Sequence, residues 1–248
     1  NGNSLGTGQL TMGNLGTLTT LLVNSNATIT NTVQINNVAT NAVINVASGA
    51  TNTISGKLTQ DGNKDSTTKY GKDGAGTLVL NNGASDFNGQ IQIGQGTVVV
   101  AATGALGANT GTVNRGVDLG LNVGDVSTAN NVSLLANAGV TVGQSIYIAP
   151  NTSGGTRTIG ISGSGTATFS SEIYMGGDMT IDTAGSGNTV NVGGKITQDQ
   201  NNGTTLGIIK NSGGTAVLSG ASDYKGNTTI NAGVLQISAS NNLGASNN

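Results

Sequence analysis

Short apolar bursts return about every twenty residues along this chain, separated by glycine and asparagine, and that recurrence restricts the fold more than any other feature. Gly74-Ala75-Gly76-Thr77-Leu78-Val79-Leu80 is followed twenty positions on by Gly94-Gln95-Gly96-Thr97-Val98-Val99-Val100. Gly214-Thr215-Ala216-Val217-Leu218 returns nineteen positions later as Gly233-Val234-Leu235-Gln236-Ile237. Thr30-Asn31-Thr32-Val33 returns after twenty-one as Thr51-Asn52-Thr53-Ile54. Within the bursts, apolar and polar residues alternate, as in Ile91-Gln92-Ile93 and Val190-Asn191-Val192. This combination predicts one solenoid turn per repeat, built of two or three short strands joined by tight bends.

Composition supports the same reading. Of 248 residues 42 are glycine, only 8% are charged and 2% aromatic, so the core must be thin and made of Val, Ile, Leu and Ala. Glycine visits the left-handed backbone region freely and asparagine tolerates it, so corners repeated every few residues consume both. Stacked coils also align identical outward side chains, and asparagine amides are expected to form ladders there. A hydrophobic content of 35% with a net charge of -2 separates the chain from disordered segments, which combine low hydrophobicity with high charge. At about twenty residues per coil, the chain would make roughly twelve coils and a rod roughly 55–60 Å long. The single proline, Pro150, lies in Ala149-Pro150-Asn151-Thr152-Ser153-Gly154-Gly155, which reads as a projecting loop.

A longer duplication overlies the short period. Gly56-Lys57-Leu58-Thr59-Gln60-Asp61 reappears as Gly194-Lys195-Ile196-Thr197-Gln198-Asp199, and Ala84-Ser85-Asp86-Phe87 as Ala221-Ser222-Asp223-Tyr224. The offset changes from 138 to 137 residues, which one deletion near Asn82 explains. The reading is a single continuous solenoid, 1–248, with an internal duplication of 56–107 and 194–244. Ser4-Leu5-Gly6 looks like the end of a further unit, so the chain reads as a segment of a longer array.

From Gly74 to Gly107 and from Gly213 to Gly244 the sequence resembles the autotransporter-associated β-strand repeat of bacterial autotransporter passenger domains. The first copy carries Gly76-Thr77, Leu80, Phe87-Asn88-Gly89, Ile91, Ile93, Gly96, Val98 to Val100 and Leu106-Gly107. The second carries Gly214-Thr215, Leu218, Tyr224-Lys225-Gly226, Thr229-Ile230, Gly233, Leu235, Ile237 and Leu243-Gly244. The first copy departs from the usual Thr-rich second strand, having Gln90-Ile91-Gln92-Ile93. The resemblance covers about a quarter of the chain. It implies a right-handed parallel β-helix (β-solenoid), exported across the outer membrane by type V secretion and displayed at the bacterial cell surface or shed.

Residue types exclude several chemistries. Histidine, tryptophan and cysteine are absent, which removes imidazole bases, thiolate metal sites and disulfides. No catalytic, cofactor-binding or metal site is expected, and no cofactor. Nine basic residues against eleven acidic ones form no basic stripe, so nucleic acid is not an expected partner. No apolar run is long enough to span a bilayer as a helix.

The densest charge, Asp61 to Asp73, reads as a solvated insertion, with a binding loop as the competing reading. Gly163-Ser164-Gly165 and Gly185-Ser186-Gly187 read as bends, because no helix follows to cradle a phosphate. Phe87 and Tyr224 read as core or corner aromatics. Asn-x-Ser/Thr triplets at Asn26, Asn131, Asn151, Asn202 and Asn227 are expected by chance.

The expected role is therefore a structural or adhesive surface segment forming an extended stalk or fibre. Its partners would be adjoining repeats of the same polypeptide, further copies in a homo-oligomer, fibre or array, and a host or environmental surface. The alternative is a β-helical polysaccharide lyase or hydrolase, which needs charged side chains converging on one face; Asp178, Asp182, Arg157 and Glu172 are the candidates. A carbohydrate-binding module would need exposed aromatics in a row, and six aromatics in the chain offer few.

Overall fold

A computed structural model describes residues 5–13, 18–36, 42–62, 66–108, 116–123, 125–151, 154–198 and 205–245. Among them lie twenty-five short strands, numbered β1 to β25, and one turn of 3-10 helix, Ser240–Leu243. Every strand pairing is parallel and joins one coil to the next, which is the arrangement of a parallel β-solenoid. Among the described residues no helix is long and apolar enough to cross a membrane.

The coil has three sides. One is an eight-stranded sheet running from β2 (Thr19–Val23) to β21 (Ile196–Gln198), and the second a nine-stranded sheet from β3 (Ala27–Ile29) to β24 (Thr228–Ile230). The third is a three-stranded sheet, β1 (Leu10–Met12), β4 (Val33–Ile35) and β7 (Leu58–Gln60), succeeded by a five-stranded one from β14 (Thr141–Val142) to β25 (Val234–Ile237). Between these two sheets, irregular segments around Phe87 and Leu106 carry the third side: Asp86 N donates to Leu58 O at 3.0 Å and Ala108 N to Phe87 O at 2.7 Å.

Alternation within each strand sends one residue in two to the axis. In β9 (Thr77–Leu80) Leu78 and Leu80 are buried, and in β20 (Thr189–Val192) Val190 and Val192. Parallel register stacks these inward residues into columns: Leu78, Val98, Leu134, Ile159 and Ile181 follow one another on five successive rungs, none more than 1% exposed. This column needs no aromatic side chain, because neighbouring rungs supply the packing.

Coil length differs from the twenty residues expected, averaging about 25. The repeats legible in the sequence are the two shortest coils: Thr77 sits beside Thr97, twenty positions on, and Thr215 beside Val234, nineteen on. Elsewhere the corners carry extra residues, and Thr97 reaches its next neighbour, Ser133, only after thirty-six. With nine rungs on the longest sheet the solenoid is roughly 40 Å long, shorter than the sequence estimate. The twenty-one-residue recurrence of Thr30 to Val33 is not a coil. Val33 pairs with Leu58, while β6 (Thr51–Ile54) stacks on β3, so the resemblance joins residues on different sides.

The asparagines also behave differently from the ladders expected. They mostly bind main-chain groups of an adjacent coil: Asn26 Oδ1 accepts from Thr51 N at 2.8 Å, and Asn188 bridges Gly163 O and Gly165 N. An amide pair between rungs does join Asn231 to Asn211, at 2.8 Å. Tight corners leave main-chain donors and acceptors unpaired, and a short amide reaches both.

The duplication sits on the solenoid with a rotation. β6, β9 and β11 (Gly96–Val100) of the first unit lie in the nine-stranded sheet, while their counterparts β20, β23 (Thr215–Leu218) and β25 lie in the five-stranded sheet. β7 is on the third side and its counterpart β21 on the eight-stranded side. The second unit has therefore advanced by one side of the coil, which is tolerated because all three sides present the same short alternating strands.

Candidate functional site

The motifs duplicated in the sequence meet in space as the two halves of one clamp between coils. Lys57 Nζ lies 2.8 Å from Asp86 Oδ2, and its counterpart Lys195 lies 2.6 Å from Asp223 Oδ2. Ser85 Oγ accepts from Leu58 N at 3.1 Å, and Ser222 Oγ accepts from Ile196 N at 3.1 Å. Gln60 Oε1 accepts from Asn88 N at 3.3 Å, and Gln198 Oε1 from Lys225 N at 3.3 Å. The Gly-Lys-x-Thr-Gln and Ala-Ser-Asp-aromatic segments, whose paired residues are 27 to 29 positions apart in the first copy and 26 to 28 in the second, are therefore one unit read twice.

Glycines in the clamp answer to close approach. A Cβ on Gly56 would stand 1.8 Å from Asn31 O, and one on Gly194 1.9 Å from Ser171 O. The closing Leu-Gly is fixed in the same way: Gly107 (φ +92°) would place a Cβ 2.1 Å from Phe87 O, and Gly244 (φ +85°) one 2.2 Å from Tyr224 O. Both glycines need the left-handed region as well as the space. The aromatics themselves are core: Phe87 and Tyr224 are fully buried, and Phe87 meets Tyr70 edge to face with centroids 5.2 Å apart.

Each unit also buries a lysine, a feature that residue patterns gave no reason to expect. Lys72 stands between Ile44 and Ile93 in one inward column, and Lys210 between Ile181 and Ile230 in another. Both are fully buried. Lys72 Nζ donates to the main-chain oxygens of Asp73 (3.1 Å), Gly74 (2.7 Å) and Gln95 (2.8 Å). Lys210 Nζ donates to Asn211 O (2.6 Å), Ser212 O (2.7 Å), Ala232 O (3.1 Å) and Thr183 Oγ1 (3.1 Å).

The acceptors belong partly to the lysine's own corner and partly to the corner of the next coil, so each ammonium ties two coils together. Gly74 (φ +75°) and Ser212 (φ +66°) hold the left-handed turn that points carbonyls inward. Burial pushes the Lys72 ammonium down to about 8, against the opposing charge of Asp73, and lowers Lys210 as well. The sequence signal that could have found these residues is their matching place in the duplicated units, 138 apart, in strands that are otherwise apolar inside.

The four side chains proposed for a catalytic groove do not converge. Asp178 and Asp182 bracket β19 (Met179–Asp182), whose Met179 and Ile181 point inward, so both carboxylates face out as the alternation requires. Each is spent on a corner. Asp178 Oδ1 accepts from Gly207 N at 2.7 Å, and Asp182 Oδ1 accepts from Ser212 Oγ at 2.5 Å and Ala184 N at 2.9 Å.

Arg157 is fully buried inside the coil. Its guanidinium donates to the main-chain oxygens of Asn130 (2.7 Å), Pro150 (3.2 Å) and Thr128, where it stabilises corners as the buried lysines do. Gly120 is required beneath it, because a Cβ there would stand 2.0 Å from Arg157 Nε. Glu172 accepts from the Tyr174 hydroxyl at 2.7 Å.

Gly163 and Gly165, and likewise Gly185 and Gly187, occupy bends ahead of strands β17 (Thr166–Phe169) and β20, as expected. The stretch read as a solvated insertion, Asp61 to Asp73, ends instead in a core rung: Lys69–Asp73 is a strand of the eight-stranded sheet with Tyr70 and Lys72 buried, while Asn63, Lys64 and Asp65 lie outside the described residues, as do Asp199 and Asn202. Lys69 is paired with Asp125 at 2.6 Å, across the eight-stranded side. Among the described residues no three Asp or Glu side chains gather as metal ligands would.

Comparison with curated proteins and with solved structures gives no match. A family model, the passenger-associated-transport-repeat, matches residues 72–100 and 208–237. The first match starts at Lys72 and the second starts two residues before Lys210, so both span the buried ammonium, the left-handed corner and the pair of short-coil strands. Two stretches that together make about a quarter of the chain are thus similar to the passenger-associated-transport-repeat, and both lie within a parallel β-solenoid.

Proposed function

We propose that this chain is a non-catalytic, structural and adhesive passenger segment, an extended stalk that carries outward-facing residues away from a bacterial surface. The observation that carries the reading is the use made of charge. Lys57, Lys195, Lys72, Lys210 and Arg157 all hold one coil to another, through carboxylates in the clamps and main-chain carbonyls in the interior. Asp178 and Asp182 are likewise occupied by corner donors. A solenoid so constructed invests its few ionic groups in stacking, which suits an extended element whose parts contact only their neighbours. Adjoining repeats, further copies in a fibre or array, and a host or environmental surface are the partners that fit this role.

The test is display. Fused ahead of an outer-membrane translocator barrel, the segment is expected to become accessible to external protease on intact cells and to raise cell attachment over the barrel alone. Failure to appear outside, or attachment no greater than that of the barrel alone, refutes the reading. Release of reducing ends or unsaturated uronides from polysaccharides by the purified chain would instead establish the enzyme alternative.

A further inference from the structure

Six residues of the chain are aromatic, and four of them, Tyr70, Phe87, Phe169 and Tyr224, are buried in the core. The other two, Tyr147 and Tyr174, are half-exposed and lie side by side on adjacent rungs of the eight-stranded side. Their strands, β15 (Ile146–Ile148) and β18 (Ile173–Met175), each bury an aliphatic residue on either side of the tyrosine, so both rings face outward. Twenty-seven residues of chain separate them, which is why the sequence shows no row of aromatics.

The rings spread over the sheet in opposite directions. Tyr174 is drawn toward the start of its strand by the 2.7 Å bond from its hydroxyl to Glu172 Oε2. Tyr147 reaches the other way and across one rung: a Cβ on Gly176 would stand 2.6 Å from its hydroxyl and 3.1 Å from Cζ. Small Ala149 and Gly176, both buried, leave room for the Tyr147 ring at that end of the strands, while Glu172 and Lys195 rise on the other. In the tyrosine column, Asp118 precedes Tyr147 and Thr197 follows Tyr174. The result is a shallow aromatic floor two rungs wide with a carboxylate and an ammonium on one rim.

We propose that Tyr147 and Tyr174 form the floor of a glycan-binding site, with pyranose C–H faces stacked on the rings, hydroxyls donating to Glu172, and Lys195 donating to sugar oxygens. A pyranose presents an apolar C–H face rimmed by hydroxyls, which matches aromatic rings bordered by a carboxylate and an ammonium. Phosphate polymers are disfavoured by the Glu172 carboxylate beside the floor. A lipid or an apolar peptide would need apolar surroundings, whereas the residues around the rings are small, polar or charged. The strand spacing of about 4.8 Å sets the two tyrosine backbones one step apart, and the rings extend from there in opposite directions along the strands, so an extended glycan lying along the strands engages both. This supplies a ligand class for the displayed segment and rests on that reading only for its biological setting.

The experiment uses purified protein, so it is independent of display. Saturation-transfer NMR with cellohexaose, chitohexaose and maltohexaose is expected to show transfer to ring C–H protons from at least one probe. Tyr147→Ala and Tyr174→Ala should each weaken that binding about tenfold, since one aromatic contact is worth about that factor. Both substitutions are on the outer surface, and an unchanged circular dichroism spectrum certifies the fold. A wild-type measurement guards against misfolding variants: tetranitromethane should nitrate Tyr147 and Tyr174 but spare buried Tyr70 and Tyr224, and the bound hexasaccharide should slow both reactions. No transfer from any of the three probes, transfer unaffected by the alanine variants, or nitration unaffected by a bound probe overturns the proposal.

Discussion

Replacing Lys72 by methionine removes one inter-coil ammonium while keeping an unbranched chain of similar length in the column between Ile44 and Ile93. The consequence depends on pH in a direction fixed by the structure. Burial lowers the folded-state value from 10.5 to about 8. Across that interval the unfolded chain still binds the proton and the folded chain has lost it, so the wild-type protein gains stability as pH rises. The gain is about 1.4 kcal/mol for each pH unit, about 3 kcal/mol over the whole shift.

Below pH 8 the wild type carries the full cost of the buried charge, partly offset by bonds to Asp73 O, Gly74 O and Gln95 O. Methionine neither carries that cost nor makes those bonds, and it does not titrate. Urea unfolding of both proteins, followed by circular dichroism from pH 7 to pH 10, isolates the effect, because Lys210 and the other groups are common to both and cancel. Stopping at pH 10 also limits the contribution of Tyr70, Tyr174 and Tyr224, whose values are raised in the folded state and which therefore reduce stability at higher pH. The wild type is expected to gain about 2 to 3 kcal/mol relative to Lys72→Met between pH 7 and pH 10. A difference that stays flat, or that falls, refutes the buried-ammonium account.

Three further outcomes follow from particular positions. Gly107→Ala should destabilise by about 2 to 4 kcal/mol in thermal melts, from a left-handed backbone and a clash with Phe87 O, while Gly139→Ala, with open space around it, should cost only about 1 kcal/mol. Asn52 points inward from β6, fully buried, with neither amide atom hydrogen-bonded, so Asn52→Val should stabilise by about 1 to 3 kcal/mol in urea titrations. Leu134→Ala, in the middle of a five-rung aliphatic column, should cost about 2 to 5 kcal/mol by the same measurement.

Fold class was legible because its causes are local. Alternation in Ile91-Gln92-Ile93 and Val190-Asn191-Val192 sets which side chains face the axis, and glycine at Gly74, Gly96 and Gly233 supplies the left-handed corners. Coil length was legible only where corners are short. The spacing from Thr97 to Ser133 depends on how much chain leaves the coil and returns, and a solenoid tolerates such insertions because each rung needs only the register of its strands.

The duplicated motifs were visible as repeats, but their meaning as a clamp required knowing that Lys57 and Asp86, or Lys195 and Asp223, fall on neighbouring coils. Arg157 shows the opposite error. A charged residue in a strand reads as outward and available, yet a guanidinium surrounded by corner carbonyls is stable inside. Tyr147 and Tyr174 were individually unremarkable and became a pair through register alone.

Register between coils underlies every part of this account, and cysteine cross-linking reads it directly because the native chain has no cysteine. Thr97 and Ser133 are thirty-six residues apart in sequence and neighbours on adjacent rungs, about 4.8 Å between backbones, within the range a disulfide spans. The pair Thr97→Cys with Ser133→Cys is expected to oxidise to an intramolecular disulfide under mild conditions. Thr97→Cys with Val117→Cys, the partner a uniform twenty-residue coil would give, is expected to stay reduced, since Val117 pairs with Ile91 on another side. The reverse pattern would contradict the stacking from which the clamps, the buried ammoniums and the tyrosine pair all derive.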